Sequence, residues 1–189
     1  MDIYLASTSP RRRQLMTEIV PDFIRISPDT EEKEYAELTP KEKSVRRSKD
    51  KCIAAVNHLK RTDAVVISSD TVVDLDGETL DKPADEEDAL RIISSLSGHG
   101  HSVHTAVTVY SEGSMFTFCD TARVNFRPIP LDVIARYVKT DIPYDKRGGY
   151  GIQTEFGKEY IDKIYGDYYT VVGLPVRKLK KLLKFLNIV

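Results

Sequence analysis

Residues 64–80, AVVISSDTVVDLDGETL, combine an apolar β-branched run with a polar interruption and a tight turn. Val and Ile are stiff in a helix and pack well on a pleated surface, so the run predicts a central strand. The pair Asp76-Gly77 is a strong signal for a two-residue hairpin turn. The strand also carries Asp70, and a charge in an apolar strand is costly unless it is paired or binds a metal.

Outward from this strand, extended and helical patterns alternate along the chain. Further strands are predicted at residues 3–7, 22–27, 101–110, 115–126 and 167–175. Helices are predicted from Pro10 to near Pro21 and at residues 40–59, 85–98, 131–140 and 176–186. Because hairpins are mixed with helical crossovers, the pattern favours an α/β layered domain with a mixed sheet rather than a purely parallel one.

The composition narrows the class of protein. With 189 residues, the chain is predicted to form a single domain over residues 1–189. Its net charge of -1 argues against a general nucleic-acid binder. Cys52 and Cys119 have no paired spacing, which favours a reducing compartment over a disulfide framework or a zinc site. No signal-peptide pattern and no apolar run of about 18 residues is found, so we expect a cytoplasmic protein without membrane contact.

Three arginines, Arg11 to Arg13, follow Ser9-Pro10 at the start of the first predicted helix. A helix start carries unsatisfied N–H groups and a partial positive charge, so added cations are unfavourable there unless an anion binds. N–H groups and guanidinium forks together can hold phosphate oxygens. The stretch is not a P-loop, because the glycines and the Lys-Ser/Thr ending are absent. Two interpretations stay open: an anion site, or three arginines that face water.

Other polar residues extend the candidate site, each with a plainer alternative. Asp70 either binds Mg²⁺ or activates a water, or it is structural and caps the strand end or pairs with a buried arginine. Lys82 either contacts a phosphate as a point charge or is solvated. Gln153, in the glycine-rich loop 145–153, has the donors and acceptor to read a nucleobase edge, or it belongs to a plain turn. A patch of acids could join a metal site or be solvated, and it consists of Asp29, Glu31 and Glu32.

Two further features are interpreted as structural. His99, His101 and His104 lie close in sequence, but in a strand this spacing points them to different faces, so no metal cluster is expected. The Lys/Arg stripe of residues 176–186 is interpreted as the solvated face of an amphipathic helix rather than as a nucleic-acid surface.

Six segments in chain order together resemble the Maf family of cytosolic nucleoside triphosphate pyrophosphatases. They span nearly the whole chain, and six ordered motifs are far more specific than any one alone. The segment DK…GYGIQ is similar to the branch that acts on dTTP and UTP. The six segments are LASTSPRR (5–12), SSDTVV (68–73), LDKP (80–83), LSGHGHSVHTAV (96–107), DKRGGYGIQ (145–153) and GDYYTVVGLP (166–175).

The resemblance implies an inosine-triphosphatase-like α/β fold with helices on both sides of a mixed sheet, an active-site cleft between two lobes, and a homodimer. It implies hydrolysis of nucleoside triphosphates, preferably dTTP and UTP, by attack of water on the α-phosphorus with Asp70 as base. The implied cofactor is Mg²⁺ or Mn²⁺, held by Glu32 and Asp70. The implied substrate-binding residues are Ser7, Arg11, Arg12, Lys51, Thr71, Lys82 and Gln153.

The chain departs from the family pattern near this site. Arg147 and Gly149 stand where the family more often has alanine, and Thr170 stands where asparagine is commoner. These changes bear on base specificity more than on the reaction. A nucleotide-binding cell-division regulator without significant turnover is the alternative function. A nucleic-acid-binding module that uses the last helix is a further one, against which the net charge counts.

Overall fold

A seven-stranded mixed sheet organises the part of the chain that the computed structural model describes, residues 1–28, 30, 33–61 and 63–189. The strand order is β2-β1-β3-β5-β6-β7, and β4 pairs with β3 outside this path. β1 runs parallel to β2 and β3, and the other pairings are antiparallel. The strands are β1 Ile3–Ala6, β2 Ile24–Ile26, β3 Val65–Leu75, β4 Glu78–Leu80, β5 Gly100–Ser111, β6 Ser114–Phe126 and β7 Ile161–Tyr165.

Five of the seven described α-helices begin after a residue whose side chain accepts a backbone N–H of the first turn. Thr39 and Glu42 form a reciprocal capping box, and Ser9 and Asp85 each accept a backbone N–H with the side chain. None of the helices in the described chain combines the length and apolar character that a membrane crossing requires. The helices are α1 Pro10–Thr17, α2 Pro40–Leu59, α3 Glu86–Leu96, α4 Leu131–Tyr137, α5 Glu155–Tyr160, α6 Tyr168–Val172 and α7 Val176–Phe185.

Successive side chains of each strand point to opposite faces of the sheet, and apolar residues stand at both sets of positions. Apolar side chains therefore cover both faces. On one face α2 packs over β1 and β3 through Tyr4, Ala6, Cys52, Ala55 and Val66. The other face carries two clusters, which meet at Ile161, Ile164 and Val171, and we refer to these clusters as the two lobes. The first lobe includes Leu5, Met16, Ile67, Val107, Leu179 and Leu183. The second includes Ile93, Leu96, Val103, Val124, Ile134 and Phe156.

A gap in the sheet lies beside the middle of β3. β1 pairs with β3 only as far as Ser68, and β4 takes the same edge only from Val73. β5 occupies the opposite edge of β3 along this whole stretch. Among the described residues, Asp70 and Thr71 therefore lie where β3 has a neighbour on one side only, so this gap, rather than a strand end, places them beside a cleft.

The predicted central strand and its hairpin are confirmed. β3 has neighbours on both sides, and the turn at Asp76-Gly77 joins it to β4 with φ values of 51° and 90°. The predicted helix over residues 40–59 has the bounds of α2. The predicted pair of strands before and after Glu112 is β5 and β6, in continuous antiparallel register.

Two predictions about the elements are wrong in part, and two elements were not predicted. Residues 167–175 were expected to be a strand, but Tyr168–Val172 is the helix α6, which Asp167 caps through the N–H of Tyr169. The first helix ends at Thr17 rather than near Pro21. In residues 167–175 the β-branched composition suggested a strand, but the cap at Asp167 and the burial of Val172 favour the helix α6. The sequence patterns also missed α5 and β7.

Candidate active site

A cavity of about 820 Å³ lies between the two lobes, beside the gap in the sheet. It is bounded by the β1–α1 connection, the middle of β3, one residue of α2, and the glycine-rich loop 145–153. Glu32, the predicted second metal ligand, lies outside the described residues, as do Asp29 and Glu31. All other predicted site residues line this one cavity: Ser7, Arg11, Arg12, Lys51, Asp70, Thr71, Lys82 and Gln153.

Asp70 is the buried centre of this arrangement. Its side chain has no exposed surface, and Nζ of Lys51 on α2 lies 2.6 Å from Oδ1. Strand alternation explains the pair, because Ser68 and Asp70 point to the face that α2 covers, and Ser68 Oγ donates to the Ser48 carbonyl at 2.8 Å. Oδ2 of Asp70 has no hydrogen-bond partner within the described chain. One carboxylate oxygen is thus held by the protein, and the other is left for a ligand.

The start of α1 contributes two arginines whose side chains contact residues of other elements around the cavity. Nε of Arg12 donates to the Gly173 carbonyl at 2.9 Å, and Nη2 donates to Thr71 Oγ1 at 3.0 Å. Nη1 of Arg11 lies 3.2 Å from Oδ2 of Asp145 in the glycine-rich loop. Both arginines are half-buried and line the cavity. They do not simply face water, and the cationic helix start forms one wall of the cavity.

Thr71 anchors the Arg12 guanidinium through a chain of hydroxyl groups. Its Oγ1 lies 3.0 Å from Oγ1 of Thr105, and Thr105 Oγ1 donates to the Thr170 carbonyl at 2.7 Å. A hydroxyl carries one proton, so the Thr71 hydroxyl donates to Thr105 while it accepts from Arg12. Thr71 thus orients Arg12, in addition to lining the cavity.

The glycine-rich loop adopts a conformation that needs glycine. Gly148 and Gly149 have φ values of 67° and 69°, the left-handed region that β-carbons disfavour. A β-carbon on Gly148 would lie 3.1 Å from Cγ2 of Val73, so the loop backbone passes close to β3. The Gly148 N–H also donates to the Asp81 carbonyl at 3.1 Å. These contacts hold the loop beside β3, with Gln153 exposed where it lines the cavity.

The ionisation of three groups in and near the loop follows from their surroundings. Burial alone would raise the pKa of Asp145, but Lys146 and Arg11 outweigh it and hold that pKa below its usual range. Tyr150 lines the cavity, and its hydroxyl lies 2.6 Å from Nε2 of His101. Burial, assisted by the charge of Arg123, lowers the pKa of His101 to about 3, so its ring is neutral near pH 7. Burial also raises the pKa of Tyr150.

Sequence reasoning left open that Asp70 pairs with a buried arginine, but it identified neither Arg147 as that arginine nor the ion-pair network around it. Nη2 of Arg147 lies 3.6 Å from Oδ1 of Asp70, and Nη1 contacts Asp81. Asp81 also pairs with the buried Arg47, at 3.3 Å. The signal available in the sequence was an arginine at 147 where the family pattern has alanine, but its partners are 66 and 77 residues away along the chain.

Asp70 supplies a carboxylate oxygen for a divalent cation in the described part of the site. Oδ2 of Asp70 is buried without a partner among the described residues, a state whose cost a bound cation removes. No group of three or more His, Cys, Asp or Glu residues within the described ranges could hold a metal. Mg²⁺ commonly binds through one or two carboxylates together with substrate phosphates and waters, and this donor set has that character.

The chain is similar to known proteins over almost its whole length. Residues 2–186 match the family model described as Maf-like protein. Relatives that bear the name dTTP/UTP pyrophosphatase include proteins of Bacillus velezensis, Aquifex aeolicus and Clostridium tetani. The protein of Bacillus velezensis is 43% identical over 186 residues, covering 98% of this chain and 97% of the relative. The protein of Aquifex aeolicus is 42% identical over 188 residues (100% and 97%), and that of Clostridium tetani is 39% identical over 191 residues (100% and 99%).

A solved structure supports the fold class independently. The Ham1 protein of Staphylococcus aureus superimposes with a TM-score of 0.57 and covers 98% of this chain and 100% of its own. Only 16% of residues are identical, so this likeness bears on the fold alone. The predicted layered α/β fold with a mixed sheet is confirmed.

Proposed function

The chain belongs to the Maf-like protein family, and from this premise we propose that it hydrolyses nucleoside triphosphates to monophosphate and pyrophosphate, with a preference for dTTP and UTP. One structural observation carries the proposal. A single cavity gathers all the described residues that were predicted to bind substrate, around a buried carboxylate with one oxygen left unpartnered. The three relatives' names supply the substrate class.

In this reaction, the cavity first has to neutralise the negative charge of the triphosphate. A nucleoside triphosphate carries about four negative charges, and stabilising the charge that grows on the leaving pyrophosphate lowers the barrier. Arg11, Arg12 and Lys82 line the cavity and supply cations for this purpose. We assign the α- and β-phosphates to the start of α1, because its N–H groups and arginines act on one polyanion.

Asp70 takes the role of base in this proposal. A water attacks the α-phosphorus, its proton passes to the Asp70 carboxylate, and the bond to the bridging oxygen breaks so that pyrophosphate leaves. Asp70 and Glu32 would hold a divalent cation, which neutralises phosphate charge and acts as a Lewis acid when bound. Lys51 keeps the Asp70 carboxylate in place and offsets the cost of its burial.

Base recognition is assigned to the glycine-rich loop. The close-packed backbone around Gly151 and Ile152 lines the cavity, so a base can approach it closely. The Gln153 amide can pair with the N3–H and an adjacent carbonyl of uracil or thymine. Cytosine offers an amino group and an unprotonated N3 at these positions, so it leaves a group unpaired.

The experiment that tests the proposal is a pyrophosphate-release assay over the eight common nucleotides, with Mg²⁺ and with Mn²⁺. We expect one pyrophosphate per monophosphate, and dTTP and UTP as the best substrates. Asp70→Asn should lower turnover at least 100-fold, about 3 kcal/mol of barrier, while the fold is kept. Asp132→Asn, an exposed acid of α4, is the matched control and should leave turnover unchanged. Binding of nucleotides without release would instead favour a nucleotide-binding regulator.

A further inference from the structure

Arg147 connects two acids that come from different elements. Its Nη2 lies 3.6 Å from Oδ1 of Asp70 in the middle of β3, and its Nη1 contacts Oδ1 of Asp81, just after β4. Only 9% of the Arg147 side chain is exposed, and none of the Asp70 side chain is. The Arg147 guanidinium group thus connects the buried Asp70 carboxylate with Asp81, which follows β4 at the edge of the gap in the sheet.

We propose that Arg147 is a positioning residue that fixes the orientation of the Asp70 carboxylate. The inference rests on the proposed function, because it assigns Arg147 a task in that reaction. Arg147 acts through Asp70, and no contact with substrate is needed for this task.

The two cations beside Asp70 both approach the same oxygen. Lys51 Nζ lies 2.6 Å from Oδ1, and Arg147 Nη2 lies 3.6 Å from it. Rotation of the carboxylate would carry Oδ1 away from both positive charges. Oδ2 has no partner within the described chain, so the protein itself leaves this oxygen for the reacting water or its cation. A lysine is a flexible point charge, whereas an arginine fork is planar and holds a fixed direction.

Asp81 and Arg47 hold Arg147 in this position. Asp81 lies between the two guanidinium groups, 3.3 Å from Nη1 of Arg47 and in direct contact with Arg147. Arg47 is 5% exposed, and its Nε donates to the Lys33 carbonyl at 3.3 Å, so it is itself immobilised. The backbone contributes as well, because the Asp81 carbonyl accepts from the Gly148 N–H next to Arg147.

A purely structural role is the rival explanation. In that case the network only fastens the glycine-rich loop, and its loss would lower stability or weaken nucleotide binding. A positioning role makes a different prediction, because its effect passes through Asp70. Removing Arg147 should then lower turnover while the Michaelis constant changes little, and it should have no further effect once the Asp70 carboxylate is absent.

The test compares Arg147→Ala, Arg147→Lys and Arg147→Ala/Asp70→Asn by steady-state hydrolysis of UTP at saturating divalent cation. We expect Arg147→Ala to lower turnover about tenfold or more, as a misplaced catalytic group does, with a Michaelis constant within about threefold. Arg147→Lys should recover part of the loss. The double variant should match Asp70→Asn within about twofold. Arg91→Ala, an exposed arginine of α3 that pairs with Asp88, is the control and should behave like the unmodified enzyme.

The outcomes separate this inference from the function on which it rests. Should Arg147→Ala fail to fold, Asp81→Asn keeps the arginine and removes its anchor, and a smaller loss of turnover is expected. Turnover within twofold of the unmodified enzyme in Arg147→Ala, or a further tenfold loss in the Asp70→Asn background, overturns the positioning role while the hydrolase proposal stands. An increase in the Michaelis constant alone also overturns it. If the unmodified protein releases no pyrophosphate, the proposed function and the inference both fail.

Discussion

Nζ of Lys51 lies 2.6 Å from Oδ1 of Asp70, and this buried pair joins the middle of α2 to the middle of β3 beneath the cavity. The contact exists because Asp70 falls on the strand face that α2 covers, beside the gap between the residues of β3 that pair with β1 and those that pair with β4. In the proposed function, the pair therefore serves both the fold and the reaction. It compensates a buried charge, and it leaves the second oxygen of Asp70 for chemistry.

Replacing Lys51 tests the energetic side of this pair. Lys51→Met keeps most of the aliphatic stem and removes the ammonium, so Asp70 loses its nearest cation. We expect the free energy of unfolding, measured with urea, to fall by about 3 kcal/mol, as when one partner of a buried pair is removed. Adding Asp70→Asn should restore part of this loss. Lys49→Met, at an exposed position of the same helix, is the control, and an equally small effect of both would show that the pair adds little.

The two neighbouring arginines of α1 provide a matched comparison. Arg12 lines the cavity and contacts Thr71 and the Gly173 carbonyl, whereas Arg13 is not among the lining residues. Arg12→Ala should raise the Michaelis constant and lower turnover together, because charge on the leaving group is stabilised mainly in the transition state. Arg13→Ala should change neither by more than about twofold. Equal effects in steady-state kinetics would mean that the arginines are only solvated charges.

In the proposed function, the preference for uracil and thymine over other bases depends on Gln153. Specificity constants for dTTP, UTP, CTP, dCTP, ATP and GTP should favour the first two by about tenfold to a hundredfold for each mispaired group. Gln153→Ala should reduce this preference, and Gln14→Ala, an exposed glutamine of α1, should preserve it. Hydrolysis of CTP or GTP as efficient as that of UTP, or an unchanged ranking in Gln153→Ala, would remove the base-reading role and leave the hydrolytic one.

His101 predicts how stability depends on pH. Its pKa is about 3 in the folded protein because the ring is buried, so the unfolded chain takes up a proton first as pH falls below about 6.5. Stability that is complete above pH 6.5 is therefore lost progressively toward pH 3, at up to about 1.4 kcal/mol per pH unit for this group. His101→Asn should be less stable near pH 7, through loss of the Tyr150 contact, but should show a flatter slope between pH 6 and 4 in urea unfolding. Parallel slopes would refute the assignment.

Elements could be predicted from the sequence where the residue preferences for strand, helix or turn agree with the structure that tertiary packing stabilises. The run around Asp70 and the turn at Asp76-Gly77 satisfy strand and turn chemistry by themselves, and the predicted site residues follow from motifs that the fold brings together. The helix Tyr168–Val172 was missed, because its β-branched residues favour a strand and only the cap at Asp167 and the burial of Val172 indicate otherwise. Local patterns cannot report contacts between distant segments.

The same limit applies to the site. The arginines behind Pro10 were expected near phosphate, but the partners of Arg12 at Thr71 and Gly173 depend on the packing of α1 against α6 and β3. The bridge from Arg147 to Asp70 likewise needs the loop to fold back over β3, which the positive φ of Gly148 permits. The residue types in the sequence indicated an anion-binding cavity. Which of these side chains lie together depends on the gap in the sheet beside β3, which no local pattern shows.

The central claim is that water attacks the α-phosphorus within the cavity around Asp70, and hydrolysis of UTP in water enriched in oxygen-18 tests it most directly. Mass spectrometry of the products after a single turnover shows which fragment received the oxygen of the attacking water. We predict one labelled oxygen in the uridine monophosphate, none in the pyrophosphate, and at least 100-fold slower formation of the labelled product in Asp70→Asn. Label in the pyrophosphate, release of orthophosphate as the first product, or formation of the labelled product by Asp70→Asn at the rate of the unmodified protein would contradict this mechanism.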